Sequence, residues 1–219
     1  MKNISPDVLS NPKGKDNLET EVAFYCEIGN FEGLKKADDI EQHHQLECRF
    51  ETGATSRVRK TTDSTGVKYV YTFKIQTEPG DNSPVIERNK TVDKDFFDDY
   101  RLLAKRELDK TRYIFNSKNV TMVYTEDGQD HEVTIPNIQY EVDVYKKEDG
   151  SISNYCKIDV EVDSIVNFIT ENYPQVKNFN LKVKLSHLPF EPKNPIRSSD
   201  KSKKEKMDAI WKEFARILR

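Results

Sequence analysis

The chain has 219 residues, of which 33% are charged, yet its 35 Lys and Arg against 38 Asp and Glu leave a formal net charge of only −3. A chain of this length buries roughly 70% of its unfolded surface in a single core, which excludes disorder throughout. A pI near 5.9 excludes a general nucleic-acid coat, since that role needs a basic excess. Without an apolar run of the ~18 residues that a membrane span requires, we expect an intracellular protein, cytoplasmic or nuclear, of cellular or viral origin, with no membrane partner.

Composition divides the chain into four parts. Residues 1–17 contain Pro, Gly and Asn without periodicity and predict a flexible lead-in. Residues 18–188 alternate short β-like segments with turn signals such as the Asp-Ser-Thr-Gly of 63–66, which is typical of an antiparallel β domain. Residues 189–202 predict a linker, and residues 203–219 predict an amphipathic, basic C-terminal helix.

Three further segments have apolar residues at helical spacing. They are residues 31–42, 93–108 and 164–172. His43 and His44 follow the first of them and are expected to be surface histidines, because adjacent positions diverge and make poor co-ligands. The predicted fold class is therefore α+β and mainly β, with a few flanking helices.

Six predicted strands carry their charged residues at alternate positions, and therefore on one face. The acidic strands contain Glu19 and Glu21, Glu141 and Asp143, and Asp159 and Glu161. The basic strands contain Arg57 and Arg59, and Lys110 and Arg112, and a further strand ends in Lys74. An ordinary solvated face is the simplest explanation for any one strand. Repeated pairs of equal charge repel each other, however, and favour a face that binds metal ions through carboxylates and phosphate oxygens through basic side chains.

An arginine that follows a loop, Arg88, adds to these motifs. Their order along the chain resembles that of the triphosphate tunnel metalloenzymes. That superfamily includes the CYTH proteins and the metal-dependent RNA triphosphatases of fungal, protozoan and large-virus mRNA capping. The resemblance covers about residues 18–165. It implies a closed antiparallel β-barrel, the triphosphate tunnel, and hydrolysis of a triphosphate with Mg²⁺ or Mn²⁺.

The resemblance also implies a role for each motif residue. The metal ligands are expected to be Glu19, Glu21, Asp159 and Glu161. The ligands of the substrate phosphates are expected to be Arg57, Arg59, Lys74, Arg88, Lys110 and Arg112. Glu141 or Asp143 is expected to orient the attacking water or to support it indirectly, and the sequence does not decide between them.

Two positions depart from the CYTH pattern. Ala23 stands where the CYTH proteins typically have a lysine, and Asp159 stands where the family generally has glutamate. The missing lysine favours an RNA 5′-triphosphatase of cap formation, with the RNA 5′ end as substrate and a guanylyltransferase as partner. The alternatives are a CYTH-type enzyme acting on tripolyphosphate, a nucleoside triphosphate or thiamine triphosphate, a non-catalytic polyphosphate-binding module, and a structural β domain without a site.

Overall fold

In a computed structural model, the described residues are 21–76, 85–126, 128–161, 163–173 and 180–218, and side chains are described for most of them. The predicted lead-in and Glu19 lie outside these ranges. The strands are β1 (Glu21–Glu27), β2 (Asp39–Arg49), β3 (Thr55–Asp63), β4 (Gly66–Gln76), β5 (Val85–Val92), β6 (Arg106–Glu126), β7 (Gln129–Lys146), β8 (Ile152–Glu161), β9 (Asn180–Lys182), β10 (Lys193–Arg197) and β11 (Arg216–Ile217). The helices are α1 (Phe31–Leu34), α2 (Lys94–Tyr100), α3 (Asp163–Asn172) and α4 (Lys204–Phe214), with a 3₁₀ turn at Lys201–Lys203.

All eleven strands belong to one antiparallel sheet, which confirms the prediction of a mainly β fold. Its main order is β10-β1-β8-β7-β6-β2-β3-β4-β5, and β9 and β11 also pair with β6. The prediction of a closed barrel is wrong for the described residues, because no ladder joins the two ends of this order. A barrel closes only when its first and last strands pair with each other. Here β1 pairs with β10 instead, and β10 and β5 form the two ends of an open sheet.

Strand β10 comes from residues that the composition predicts as a linker. Ile196 lies opposite Tyr25 and Arg197 lies opposite Phe24 in the β1–β10 pair. The Pro- and Ser-containing range 189–202 therefore includes a strand of the sheet. An edge strand tolerates a proline, here Pro195, because one side of its backbone needs no ladder partner.

The first two helices are shorter than the sequence predicts. Asn30 caps α1 by accepting hydrogen bonds from the backbone of Glu32 and Gly33 at 3.1 and 3.3 Å. The predicted helix 31–42 nevertheless ends at Leu34, because residues from 39 onward pair with β6 and residues from 42 onward also pair with β3. In the same way, the predicted helix 93–108 is reduced to α2, since residues from 106 onward begin β6. The two-sided pairing of a central strand outweighs the weak preference of a short segment for helix.

Helices α2 and α3 cover one face of the sheet, here called the apolar face. The main core contains buried residues of β7 and β8, such as Val142 and Ile158, packed with Ile165 and Ile169 of α3. A second cluster packs Phe97 and Tyr100 of α2 against Leu46 and Val58, among other residues. Helix α4 lies on the other face. Within the described residues, no helix has both the length and the apolar composition needed to cross a membrane.

Candidate functional site

The face of the sheet opposite α2 and α3 carries the charged residues that alternate along the strands, and it is here called the charged face. Residues directly opposite each other in an antiparallel pair point to the same side. The pairs are Asp159 with Glu141, Asp143 with Lys157 and Arg112, Arg112 with Glu41, Lys110 with His43, Gln45 with Arg59, Glu47 with Arg57, and Thr55 with Lys74. The register thus brings acidic positions of β7 and β8 and basic positions of β3, β4 and β6 onto one surface.

The predicted metal positions cluster in the backbone register. Glu21 lies opposite Glu161 in the β1–β8 pair, and Asp159 lies opposite Ala23 two residues further along. Among the side chains that the structure describes, no group of three or more His, Cys, Asp or Glu is arranged to hold a metal ion. Asp159 itself is buried, and Lys157 Nζ lies 2.7 Å from its Oδ1 and 2.8 Å from its Oδ2. A cationic group therefore already occupies this carboxylate.

Asp143 is the centre of a buried ion-pair network. It is 1% exposed, and Arg112 donates to it from Nε at 2.8 Å and from Nη2 at 2.9 Å. Lys110 donates to the same carboxylate, and Arg112 also pairs with Glu141. This geometry makes Asp143 the structural counter-ion of two predicted phosphate ligands.

The pKa values of this network follow from its burial and its charges. Burial acts to raise the pKa of Asp143, but Lys110 and Arg112 together hold it well below its usual range. Burial lowers the pKa of Lys110 to about 8, although Asp143 opposes this effect. Burial raises the pKa of Glu141 despite the neighbouring Arg112. Of the two predicted water-orienting carboxylates, Glu141 is therefore the better proton acceptor, because a base with a higher pKa binds a proton more readily.

Within the described residues, Arg57 and Arg59 differ from Arg112 in forming no ion pair with a carboxylate. The Nε atoms of both are buried without a hydrogen-bond partner, and neither guanidinium forms an ion pair with another residue in the described part of the chain. Burial lowers the pKa of Arg59, and the positive charges of Arg57 and Arg112 add to this effect. The charges of Glu41 and Asp143 oppose this lowering, but neither arginine forms an ion pair with a described carboxylate. Two half-buried guanidinium groups with unpaired Nε atoms are suited to bind an anionic ligand.

The other predicted phosphate ligands are placed differently. Lys74 lies on the charged face and pairs with Glu87 of the neighbouring strand. Arg88 lies opposite Phe73, which alternates with Lys74, so its side chain starts from the apolar face of the sheet and is exposed. The structure therefore does not bring Arg88 to the cluster formed by Arg57 and Arg59.

Strand β2 contributes charged-face residues that the sequence reasoning missed. The expectation of a surface His43 is wrong, because its side chain is fully buried and its Nε2 lies 2.7 Å from Glu41 Oε2. Burial lowers the pKa of His43 to about 4, and the hydrogen bond to Glu41 opposes this effect. The polar alternation of Glu41, His43, Gln45 and Glu47 is a visible signal for this face, as is the spacing of Lys157 from Asp159.

Helix α4 covers one end of the charged face. Tyr25, Leu108 and Tyr145 occupy charged-face positions there and form an apolar cluster with Ile210 and Phe214 of α4. The rings of Tyr145 and Phe214 stack with centroids 4.0 Å apart. Helix α4 therefore covers the end of the charged face at which β1, β6 and β7 place Tyr25, Leu108 and Tyr145.

Known proteins show only a weak similarity to this chain. No protein-family model and no curated protein matches the chain. Among solved structures, the PH1819 protein from Pyrococcus horikoshii OT3 is similar with a TM-score of 0.39 and 15% identity, over 77% of this chain and 97% of that one. A conserved hypothetical protein from Pyrococcus furiosus has a TM-score of 0.39 and 15% identity, over 78% of this chain and 99% of that one.

Proposed function

We propose that the charged face binds the 5′-triphosphate end of an RNA and supports hydrolytic release of its γ-phosphate in the presence of Mg²⁺ or Mn²⁺. The observation that carries this proposal is the pair Arg57 and Arg59, which are half-buried and have no ion-pair partner in the described part of the chain. The acidic positions of β7 and β8 share their face. This combination suits a ligand that brings negative charge to the arginines and a cation to the carboxylates.

The basic residues divide into two groups in this proposal. Arg57 and Arg59 bind phosphate oxygens, for which the planar guanidinium offers paired donors. Lys110 and Arg112 add positive charge to the site while Asp143 fixes their positions. Because these groups are held before the substrate arrives, little reorganisation is needed when negative charge develops on the phosphate.

The acidic residues fit a divalent cation. Carboxylate oxygens are the ligands that Mg²⁺ and Mn²⁺ prefer, and Glu19, Glu21, Asp159 and Glu161 would hold the ion. Lys157 already pairs with Asp159, so a metal ion at this carboxylate would have to compete with its ammonium group. When bound, the ion supplies charge neutralisation at the phosphate oxygens. Glu141, with its raised pKa, accepts the proton of the attacking water at its carboxylate.

One position of β1 favours an RNA end over a small triphosphate as the substrate. Ala23 is buried directly opposite Asp159, so β1 provides no lysine at the position where CYTH proteins typically have one. In a cell, such an activity would precede transfer of a guanylyl group to the RNA, and a guanylyltransferase is the expected partner. A preference for free tripolyphosphate, a nucleoside triphosphate or thiamine triphosphate would instead indicate the CYTH-type activity.

The test is phosphate release from γ-labelled triphosphate RNA, ATP and tripolyphosphate with Mg²⁺, Mn²⁺ or EDTA. We expect metal-dependent release from RNA, and loss of release in Glu21→Gln and Glu161→Gln proteins that unfold at the wild-type temperature. Unchanged metal-dependent phosphate release in either variant would reject the assignment of that glutamate as a metal ligand. A preference for tripolyphosphate would reject the RNA substrate but keep the triphosphate chemistry.

A non-catalytic polyphosphate-binding module is a second candidate, and a specific observation favours it. Asp143 is neutralised by Lys110 and Arg112, and Asp159 is neutralised by the single ammonium group of Lys157, which lies beside both of its oxygens. Carboxylates that serve only as counter-ions need no metal. Tight, metal-independent binding of tripolyphosphate without phosphate release from any substrate would support this candidate over the hydrolase.

A further inference from the structure

Lys157 occupies the space beside Asp159 that a metal ion needs. It lies on β8 two residues before Asp159, so both side chains project to the charged face. Its Nζ is 2.7 Å from Oδ1 and 2.8 Å from Oδ2, and both side chains are largely buried, with exposures of 19% and 6%. The ammonium group therefore donates a charge-assisted hydrogen bond to Oδ2 and forms a close ion pair with Oδ1.

We propose that Lys157 is an internal counter-ion that competes with a divalent cation for Asp159 and thereby sets the metal affinity of the charged face. This inference rests on the proposed function. A divalent cation binds carboxylate oxygens at about 2.0 to 2.6 Å, so at Asp159 it would lie close to the ammonium group that neutralises the same carboxylate. Repulsion between the two cations means that binding of the metal ion must weaken the Lys157–Asp159 ion pair.

The residues directly opposite Lys157 on the two neighbouring strands are an aspartate and a tyrosine. On β7, Lys157 faces Asp143, which Lys110 and Arg112 already hold, and on β1 it faces Tyr25. A metal ion that enters without an anion therefore adds positive charge to a region that already contains a displaced lysine. An anionic ligand relieves this repulsion, so metal and triphosphate should bind cooperatively.

The experiment measures Mn²⁺ binding directly, by electron paramagnetic resonance and isothermal titration, without reference to activity. We expect Lys157→Gln and Lys157→Met to bind Mn²⁺ about tenfold more tightly than the wild type, and Lys157→Arg to stay close to it. Lys182→Gln is the matched control. It removes a lysine whose Nζ contacts both oxygens of Asp130 at 2.8 and 2.9 Å on an exposed part of the sheet, and it should leave Mn²⁺ affinity unchanged.

The outcomes separate this inference from the proposed function. Tighter Mn²⁺ binding by folded Lys157→Gln, without phosphate release by the wild type from any triphosphate, would reject the function and keep the inference. Release by the wild type, with equal Mn²⁺ affinity in the wild type and both neutral variants, would reject the inference and keep the function. Equal tightening in Lys182→Gln would also overturn it, because the effect would then reflect net charge alone.

A measurement on the wild type decides the matter if the neutral variants do not fold. The ¹³Cε signal of Lys157, assigned by its loss in Lys157→Arg, reports whether the ammonium leaves Asp159. We expect this signal to shift when Mg²⁺ is added, while the signal of Lys182 does not move. An unchanged Lys157 signal at the highest Mg²⁺ concentration would overturn the proposal.

Discussion

Arg112 binds Asp143 across the β6–β7 pair through two hydrogen bonds, from Nε to Oδ1 at 2.8 Å and from Nη2 to Oδ2 at 2.9 Å. Arg59 lies on the same face, two strands away from Arg112, and forms no ion pair within the described residues. Two arginines with similar sequence signals therefore have different electrostatic roles. One belongs to a neutralised network that stabilises the sheet, and the other carries charge that an anionic ligand would neutralise.

Asp143→Asn should strongly destabilise the protein. The substitution leaves the ammonium of Lys110 and the guanidinium of Arg112 buried without their counter-ion, and breaking such a pair costs about 3 to 5 kcal/mol. Urea denaturation at pH 7 measures the loss. Asp130→Asn, which removes the partner of exposed Lys182, should cost less than about 1 kcal/mol. Equal losses for the two variants would contradict the structural role of Asp143.

Arg59→Gln should weaken anion binding without destabilising the fold. No described carboxylate loses a partner, so the free energy of unfolding should stay within about 0.5 kcal/mol of the wild type or increase. Loss of hydrogen bonds to charged phosphate oxygens should weaken tripolyphosphate binding roughly 10- to 100-fold in isothermal titration. Lys60→Gln is the charge-matched control, because Lys60 is adjacent in β3 but points to the opposite face. Comparable weakening in this control would argue against a specific site.

His43 should make the protein less stable in acid. Its pKa is about 4 in the fold, where burial lowers it, and 6.5 is the unperturbed value. The unfolded chain therefore binds a proton first as the pH falls, so stability is fully present above pH 6.5 and is lost between pH 6.5 and 4. Between pH 6.5 and 4, the free energy of unfolding of the His43→Gln variant should fall by about 3 kcal/mol less than that of the wild type. Parallel pH profiles of urea unfolding for the two proteins would contradict this assignment.

Phe214→Ala should detach α4 from the end of the charged face. Phe214 is 1% exposed and stacks on Tyr145, so its truncation leaves a cavity and should cost about 3 to 5 kcal/mol. Hydrogen exchange of the α4 amides should become faster than that of β7. Leu102→Ala, at a position that is 87% exposed, should have little effect on either measurement. Unchanged protection of α4 in Phe214→Ala would show that this ring does not hold the helix.

The sequence by itself determined which side chains share a face. Side chains alternate along a strand, so the spacing of Arg57 and Arg59, or of Glu141 and Asp143, fixes their common side once the segment is a strand. The same alternation places the side chains of Arg88 and Lys74 on opposite faces of the sheet. This conclusion also needs the register of the β4–β5 pair, in which Arg88 lies opposite Phe73. Local alternation also predicted a mainly β protein, which the antiparallel sheet confirms.

Only the tertiary structure decided where segments stop being helical and how the sheet ends. Residues 39–42 follow a helical pattern, yet pairing with β6 makes them part of β2, and His43, which pairs with both β3 and β6, is buried. Likewise, β10 pairs with β1, so the sheet stays open within the described residues. These results depend on contacts between residues far apart in the chain, which local periodicity does not contain.

The partners of individual charges also come from the tertiary structure. The sequence gives Arg112 and Arg59 the same basic alternation, but the strand order places Arg112 opposite Asp143 and places Arg59 opposite Gln45. The carboxylates of Glu41 and Asp143 influence the pKa of Arg59, but no described carboxylate forms an ion pair with it. Composition therefore determines how many charges the chain carries, and the strand register decides which of them form ion pairs.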